Sequence, residues 1–164
     1  MGKDLTGLLV TIPIIKTVGS TTKVVTDVIC DSRKASDGAL FVAVNGVNVD
    51  AHRFIPDVIA KGATVIVCEV LPEHIDENVC YIVVRDSSIA LAHIAAWWYN
   101  YPSTRLKLVG VTGTNGKTTT ATLLYELMQL MGEKAGLLST VCNIIDKTVI
   151  PAAQTTPDPL SLCR

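Results

Sequence analysis

Between residues 20 and 101, short runs rich in Val and Ile alternate with longer stretches whose apolar positions recur every three or four residues. Residues 26–29, 40–44, 64–68 and 81–84 are bounded by Asp, Gly or Pro and predict strands. Residues 52–61 gather Phe54, Val58 and Ile59 on one side and stop at Gly62, which predicts a helix with a glycine end. A second helix is expected over 88–101, with Leu91, Ile94, Ala95 and Trp98 at helical spacing, Asp86 or Ser87 as N-cap and Pro102 as terminator. The pattern describes an α/β domain over residues 1–102.

After the linker Pro102-Ser103-Thr104 the pattern changes. Leu106, Leu108, Val109 and Val111 put apolar side chains on both faces of one strand, as in the interior of a parallel sheet. The next helix, 117–131, is apolar around most of its girth, keeps only a polar stripe at Thr122, Glu126, Gln129 and Glu133, and stops at Gly132. A strand over 136–141 and the start of a hairpin over 143–150 follow. Residues 103–164 therefore predict a single β-α-β unit plus an edge. An open nucleotide-binding sheet needs several more strands, so this domain is expected to be partial.

Charge and composition narrow the partners. The 164 residues carry 14 Lys+Arg and 15 Asp+Glu, a net charge of −1, which excludes a generally basic nucleic-acid binder. At 49% hydrophobic and 18% charged the chain is too apolar to be disordered. Five cysteines, Cys30, Cys68, Cys80, Cys142 and Cys163, show neither Cys-x-x-Cys pairing nor zinc-finger spacing, so the expectation is reduced thiols in a cytoplasmic protein. Cys30, Cys68 and Cys80 sit in or beside strand-like runs and read as small core residues. The apolar stretch 8–15 is broken by Pro13 and lacks a basic leader, and no run reaches the ~18 apolar residues of a membrane span, so neither a signal peptide nor a membrane is expected.

The candidate chemistry lies in Gly110-Val111-Thr112-Gly113-Thr114-Asn115-Gly116-Lys117-Thr118-Thr119. Placed between a buried strand and a helix, glycines let backbone N–H groups encircle phosphate oxygens while the helix N-terminus adds its positive dipole end. Lys117 would then meet the β- and γ-phosphates and the Thr118 hydroxyl would hold Mg²⁺. The spacing is not the commonest one, because Val111 occupies the position five before Gly116. On its own the loop leaves kinases, switches, motors and ligases open.

Gly113-Thr114-Asn115-Gly116-Lys117-Thr118-Thr119-Thr120 resembles the ATP loop of the Mur ligases, which form amide bonds of the peptidoglycan stem peptide at the expense of ATP. A second match lies upstream: Asp31-Ser32-Arg33, then Gly38-Ala39-Leu40-Phe41-Val42-Ala43-Val44, Gly46, and Asp50-Ala51-His52-Arg53-Phe54-Ile55. These are similar to the UDP-binding first domain of the family members that add the third residue and the final dipeptide. Thr155-Thr156-Pro157-Asp158, Asn115 and the Thr run after Lys117 resemble the third-residue type. Together the resemblance spans roughly residues 20 to 160. One departure is Ala51, where the family has Gly; a positive φ there would cost about 1 kcal/mol.

What the resemblance implies can be carried over residue by residue. Cys30 and Ser32 would bind the uracil end of a UDP-N-acetylmuramoyl-dipeptide, and Val47, Asn48 and Val49 would lie along the same nucleotide. Gln154, Thr155 and Thr156 would touch its sugar-peptide part. Gly113, Thr114, Asn115, Gly116, Lys117, Thr118 and Thr119 would bind ATP, with Lys117 catalytic and Thr118 on Mg²⁺. A substrate carboxylate would attack the γ-phosphate, and the amine of diaminopimelate or lysine would attack the resulting acyl phosphate. Without the resemblance, Asp31-Ser32-Arg33 reads as a polar turn and residues 154–156 as coil before Pro157.

In the family an acidic Mg²⁺ ligand, a carbamylated lysine and the amino-acid-binding domain come from sequence beyond the central hairpin. The expectation is therefore an N-terminal fragment that folds its first domain and does not form the amide bond by itself, with no obligate protein partner evident. Three rivals remain: the dipeptide-adding type, a phosphate-loop module without chemistry, and a purely structural α/β fragment. Trp97-Trp98-Tyr99 reads as packing against the linker, and His52, His74 and His93 as neither metal ligands nor bases.

Overall fold

The computed structural model describes residues 2–46, 49–145, 147–152 and 156–164. The chain divides into two compact units, one of residues 1–105 with 163–164 and one of residues 106–162.

The first unit contains strands β1 (Lys3–Asp4), β2 (Ile14–Val18), β3 (Val24–Val25), β4 (Asp27–Ile29), β5 (Ala39–Val42), β6 (Val65–Cys68) and β7 (Cys80–Val84). Its helices are α1 (Thr6–Leu9), α2 (Ile55–Ala60) and α3 (Ser87–Trp98). Five strands form one sheet in the order β2-β7-β6-β5-β4. β4 to β7 run parallel, and β2 closes the β7 edge antiparallel. Every residue of β5, β6 and β7 is buried, as parallel strands covered on both faces require. Phe41, Ala43, Ile66, Cys68 and Tyr81 on one face pack with Ile55 and Val58 of α2. Leu40, Val42, Val65, Val67 and Ile82 alternate with them and are fully buried too. α3 lies against β4 and β6, and its buried Ala90, Leu91, Ile94 and Ala95 stand outside the α2 cluster, so it serves that opposite face.

The elements expected between residues 20 and 101 are all present, with ends shifted by a few residues. A single turn of 3₁₀ helix, Ala51–Phe54, precedes α2. Asp86 is the N-cap of α3, its carboxylate accepting from Ile89 N at 2.8 Å. α3 stops at Trp98, short of the expected 101. Asn100 and Tyr101 turn to φ 58° and 53°, and Lys3 Nζ donates to Trp97 O at 2.8 Å and Asn100 Oδ1 at 2.7 Å, occupying the helix end. Trp97 packs against the N-terminal segment rather than the linker: a Cβ on Gly7 would meet its Nε1 at 3.2 Å, and Lys3 Nζ lies 5.2 Å from its ring centroid. Cys68 and Cys80 are buried as expected, whereas Cys30 is half-buried.

The second unit contains α4 (Lys117–Leu130), β8 (Leu137–Leu138), β9 (Cys142–Ile145), β10 (Thr148–Pro151) and most of α5 (Pro159–Cys163). α4 and the β9–β10 hairpin match the sequence pattern. The parallel β-α-β unit does not form among the described residues. Residues 106–111 have no strand pairing, and Leu106, Leu108 and Val109 are 62%, 74% and 71% exposed. β8 pairs antiparallel with β9, giving the order β10-β9-β8. The reason is physical: a helix satisfies its hydrogen bonds within its own segment, whereas a strand needs a neighbour. For the same reason α4 forms with no residue buried, despite its apolar girth.

Candidate functional site

The first candidate lies at the carboxyl ends of the parallel strands. Cys30 follows β4, and the segment 43–50 leaves β5. Cys30, Asp31, Ser32, Val44, Gly46, Val49, Ala51 and Phe54 line an open cleft of about 260 Å³. Cys30, Ser32 and Val49, chosen from the sequence, thus share one cleft. Val47 and Asn48 lie outside the described residues. Val44, Gly46 and Phe54 lie in the upstream match that carries the resemblance but were not chosen as contacts, because their convergence depends on how the chain leaves β5.

Two short caps shape the cleft. Asp31 Oδ1 accepts from Arg33 N at 3.0 Å and Nε at 2.9 Å, while Arg33 Nη2 donates to Oδ2 at 2.8 Å. These hydrogen bonds, the guanidinium's first, hold the Asp31 carboxyl down to about 2. Lys61 Nζ donates to Ser32 O at 3.1 Å, tying α2's end to the same turn. Asp50 caps the 3₁₀ turn, accepting from His52 N at 2.9 Å. Ala51 does not adopt positive φ, so the departure from the family glycine costs no left-handed strain here.

The second candidate is the loop before α4. Gly116 is its N-cap at φ 75°, a left-handed conformation that a side chain disfavours, and no side chain caps the helix. A Cβ on Gly110 or Gly116 would meet nothing within 4 Å, so the backbone is open to close approach. Lys117 Nζ donates back to Gly113 O at 2.7 Å and Thr114 O at 3.3 Å, holding its ammonium across the loop. Thr114, Asn115 and Thr119 are exposed, and Thr118 is half-buried in the first helical turn. Thr118 Oγ1 lies 3.5 Å from Thr140 Oγ1, a neighbour with no sequence signal since it depends on the path after β8.

Uncapped N–H groups, a lysine and a hydroxyl around open glycine backbone suit a polyphosphate. The residues present therefore fit a nucleotide triphosphate. For Mg²⁺ they offer the Thr118 hydroxyl, and among the described residues no cluster of three or more His, Cys, Asp or Glu could hold a metal alone. Of the sugar-peptide candidates, Gln154 and Thr155 lie outside the described residues, and Thr156 is exposed ahead of α5. Among the described residues no helix is long and apolar enough to cross a membrane.

Comparison with known proteins matches both units. The sequence model described as Mur ligase family, catalytic domain, covers residues 24–99, and that of the Mur ligase middle domain covers 111–164. The UDP-N-acetylmuramoyl-L-alanyl-D-glutamate–2,6-diaminopimelate ligase of Cytophaga hutchinsonii is 54% identical over 156 residues, 94% of this chain and 32% of that protein. A solved ligase of the same name shares the fold at TM-score 0.73 and 24% identity, over 99% of this chain and 32% of its own. The MurF ligase of Thermotoga maritima, solved in complex with ADP, matches at TM-score 0.53 and 28% identity, over 84% of this chain and 29% of its own. The chain spans about a third of the length of the curated relatives it matches. With both units matched by models of one family, the chain belongs to the Mur ligase family.

Proposed function

We propose that this chain supplies the uridine-binding and ATP-loop parts of a cytoplasmic ligase that joins 2,6-diaminopimelate to UDP-N-acetylmuramoyl-L-alanyl-D-glutamate. The observation that carries this reading is the 54% identity to the Cytophaga hutchinsonii ligase across 94% of the chain, which takes in both candidate sites. Cys30, Ser32 and Val49 would receive the uracil end, with Val47 and Asn48 beside them. Gln154, Thr155 and Thr156 would meet the sugar-peptide part. Residues 106–111 would become a strand by pairing with further strands of the ATP-binding sheet, which accounts for an apolar run standing exposed.

ATP is a substrate of this reaction. A carboxylate oxygen of the dipeptide substrate forms a bond to the γ-phosphorus while the bond to ADP breaks. The amine nitrogen of diaminopimelate then attacks the acyl carbon, phosphate leaves, and the nitrogen loses its proton. Both steps need alignment and neutralised charge more than covalent help. Lys117 supplies a positive charge at the loop, and the α4 N-terminal amides of Thr118 and Thr119 face the phosphates with Gly113, Thr114, Asn115 and Gly116. Mg²⁺, when bound, would neutralise phosphate charge, and the Thr118 hydroxyl would be the group from this chain that holds it.

The test is phosphate release by a protein of the relatives' full length carrying this sequence, with ATP and either the UDP-muramoyl-dipeptide plus 2,6-diaminopimelate or L-lysine, or the UDP-muramoyl-tripeptide plus D-alanyl-D-alanine. Release that depends on diaminopimelate supports the reading. Release that requires D-alanyl-D-alanine instead would make it a dipeptide-adding ligase, and ATP binding without any dependent release would make it a nucleotide-binding module.

A further inference from the structure

Half of the uracil-side cleft is lined by one segment, through Val44, Gly46, Val49 and Ala51. Asn45 and Asp50 bridge antiparallel across the base of that segment, and Gly46 N donates to Val49 O at 3.1 Å. Beyond this narrow bridge, Ser87, Glu69 and His52, none of which lines the cleft, hold its two ends.

At one end Asn45 N donates to Ser87 Oγ at 3.1 Å. Ser87 is fully buried, and its hydroxyl and backbone N–H both donate to Glu69 Oε1, at 2.7 Å and 2.8 Å. The Glu69 carboxylate thus sits at the N-terminus of α3, where the helix dipole favours negative charge. The Ser87 backbone and side-chain bonds, with lesser help from Asn45 and His52, hold its carboxyl below the usual range. At the other end Asp50 Oδ1 lies 2.6 Å from His52 Nδ1, and His52 Nε2 accepts from Glu69 N at 2.8 Å. An Nε2 that accepts leaves the proton on Nδ1, where it is donated to Asp50. Both ends of the segment therefore converge on residue 69.

We propose that Glu69 and His52 are positioning residues for the uridine diphosphate end of the substrate, clamping the two ends of segment 45–50 from outside the cleft. This rests on the uridine reading of that cleft. A hydrogen-bonded, half-buried carboxylate behind the cleft wall holds Asn45 and Asp50 in place before the ligand arrives, so the cost of ordering these two residues is met in folding rather than in binding. The clamp accounts for the Asp-x-His spacing at 50–52 and for a buried serine at the start of α3, neither of which the cleft lining explains.

The test is calorimetric titration of UDP into the 164-residue chain and its variants, with thermal melting of each. Glu69→Ala is expected to weaken UDP binding about tenfold, the loss of a charge-assisted bond expressed in affinity. Glu69→Gln keeps an oxygen acceptor for Ser87 and is expected to stay within about threefold of the parent. His52→Ala, which releases the other end, is expected to weaken binding comparably, so the proposal stays testable should Glu69→Ala not fold. Folded variants that melt earlier yet bind UDP as the parent does would overturn the clamp while leaving the uridine reading intact. No binding of UDP by the parent chain would overturn the uridine reading, and the clamp with it.

Discussion

Lys117 Nζ reaches back four residues to donate to the carbonyl of Gly113 at 2.7 Å. The ammonium is thereby fixed over the loop by the backbone that the phosphates would approach, and it is exposed to receive them. Lys117→Ala removes both the tether and the charge. A charge-assisted bond contributes about 1.5–3 kcal/mol, so ATP affinity measured by calorimetry should fall by roughly 10- to 150-fold. Lys117→Arg should not restore it, since a planar fork does not replace a compact point charge. Unchanged ATP affinity in Lys117→Ala would place the phosphates elsewhere.

Gly116 tests the loop's backbone separately from its charge. With φ at 75° and nothing within 4 Å of an added Cβ, Gly116→Ala carries conformational strain and no clash. The expected cost is about 1–2 kcal/mol in urea unfolding of the second unit. Gly19→Ala should cost more in the first unit, because at φ 90° its Cβ would run into the backbone oxygen of Val79. Equal losses at the two positions would mean that the loop is closely packed.

Asp31 gives a pH dependence of defined sign. Its carboxyl is held down to about 2 by Arg33, below the 3.8 of an unpaired aspartate. The folded state therefore gains stability from the ionised form above about pH 4, and loses it as the pH falls toward 2. Arg33 is 87% exposed, so the contribution is small and salt-sensitive. Arg33→Gln should narrow the stability difference between pH 5 and pH 2.5, measured by urea unfolding at low salt. A difference unaffected by Arg33→Gln would mean that the pair is not formed in solution.

Much of the first unit was legible because its signals are local. Val and Ile runs marked β4 to β7, and Asp86 marked the start of α3. β2 was not legible: Pro13 precedes it, and its Lys16 and Thr17 are exposed at a sheet edge, so no alternation betrays it. In the second unit the residue pattern gave α4 correctly, while the strand expected at 106–111 depends on pairing that no local sequence supplies. The cleft showed the same division. Ser32 stood in a quoted motif and Val49 beside one, but Glu69 and Ser87 lie 18 residues apart and meet only because β6 ends and α3 begins at the same end of the sheet.

The buried thiols offer a check on the core. Burial pushes the Cys68 thiol up to about 11, and raises Cys80 as well. At pH 8 the Cys68 thiolate is then a fraction on the order of one in a thousand, and iodoacetamide should leave it unmodified in the folded chain and alkylate it in urea. Mass spectrometry of the peptides reads the result. Rapid native-state alkylation of Cys68 would contradict the packing of β6 against α2.

The most direct measurement follows backbone amide resonances during titration with a nonhydrolysable ATP analogue and Mg²⁺. The amides of Gly113, Thr114, Asn115, Gly116, Lys117, Thr118 and Thr119 should shift together and saturably, with the first unit unmoved. Saturable shifts confined to other residues, with this loop silent, would contradict the assignment of ATP to it.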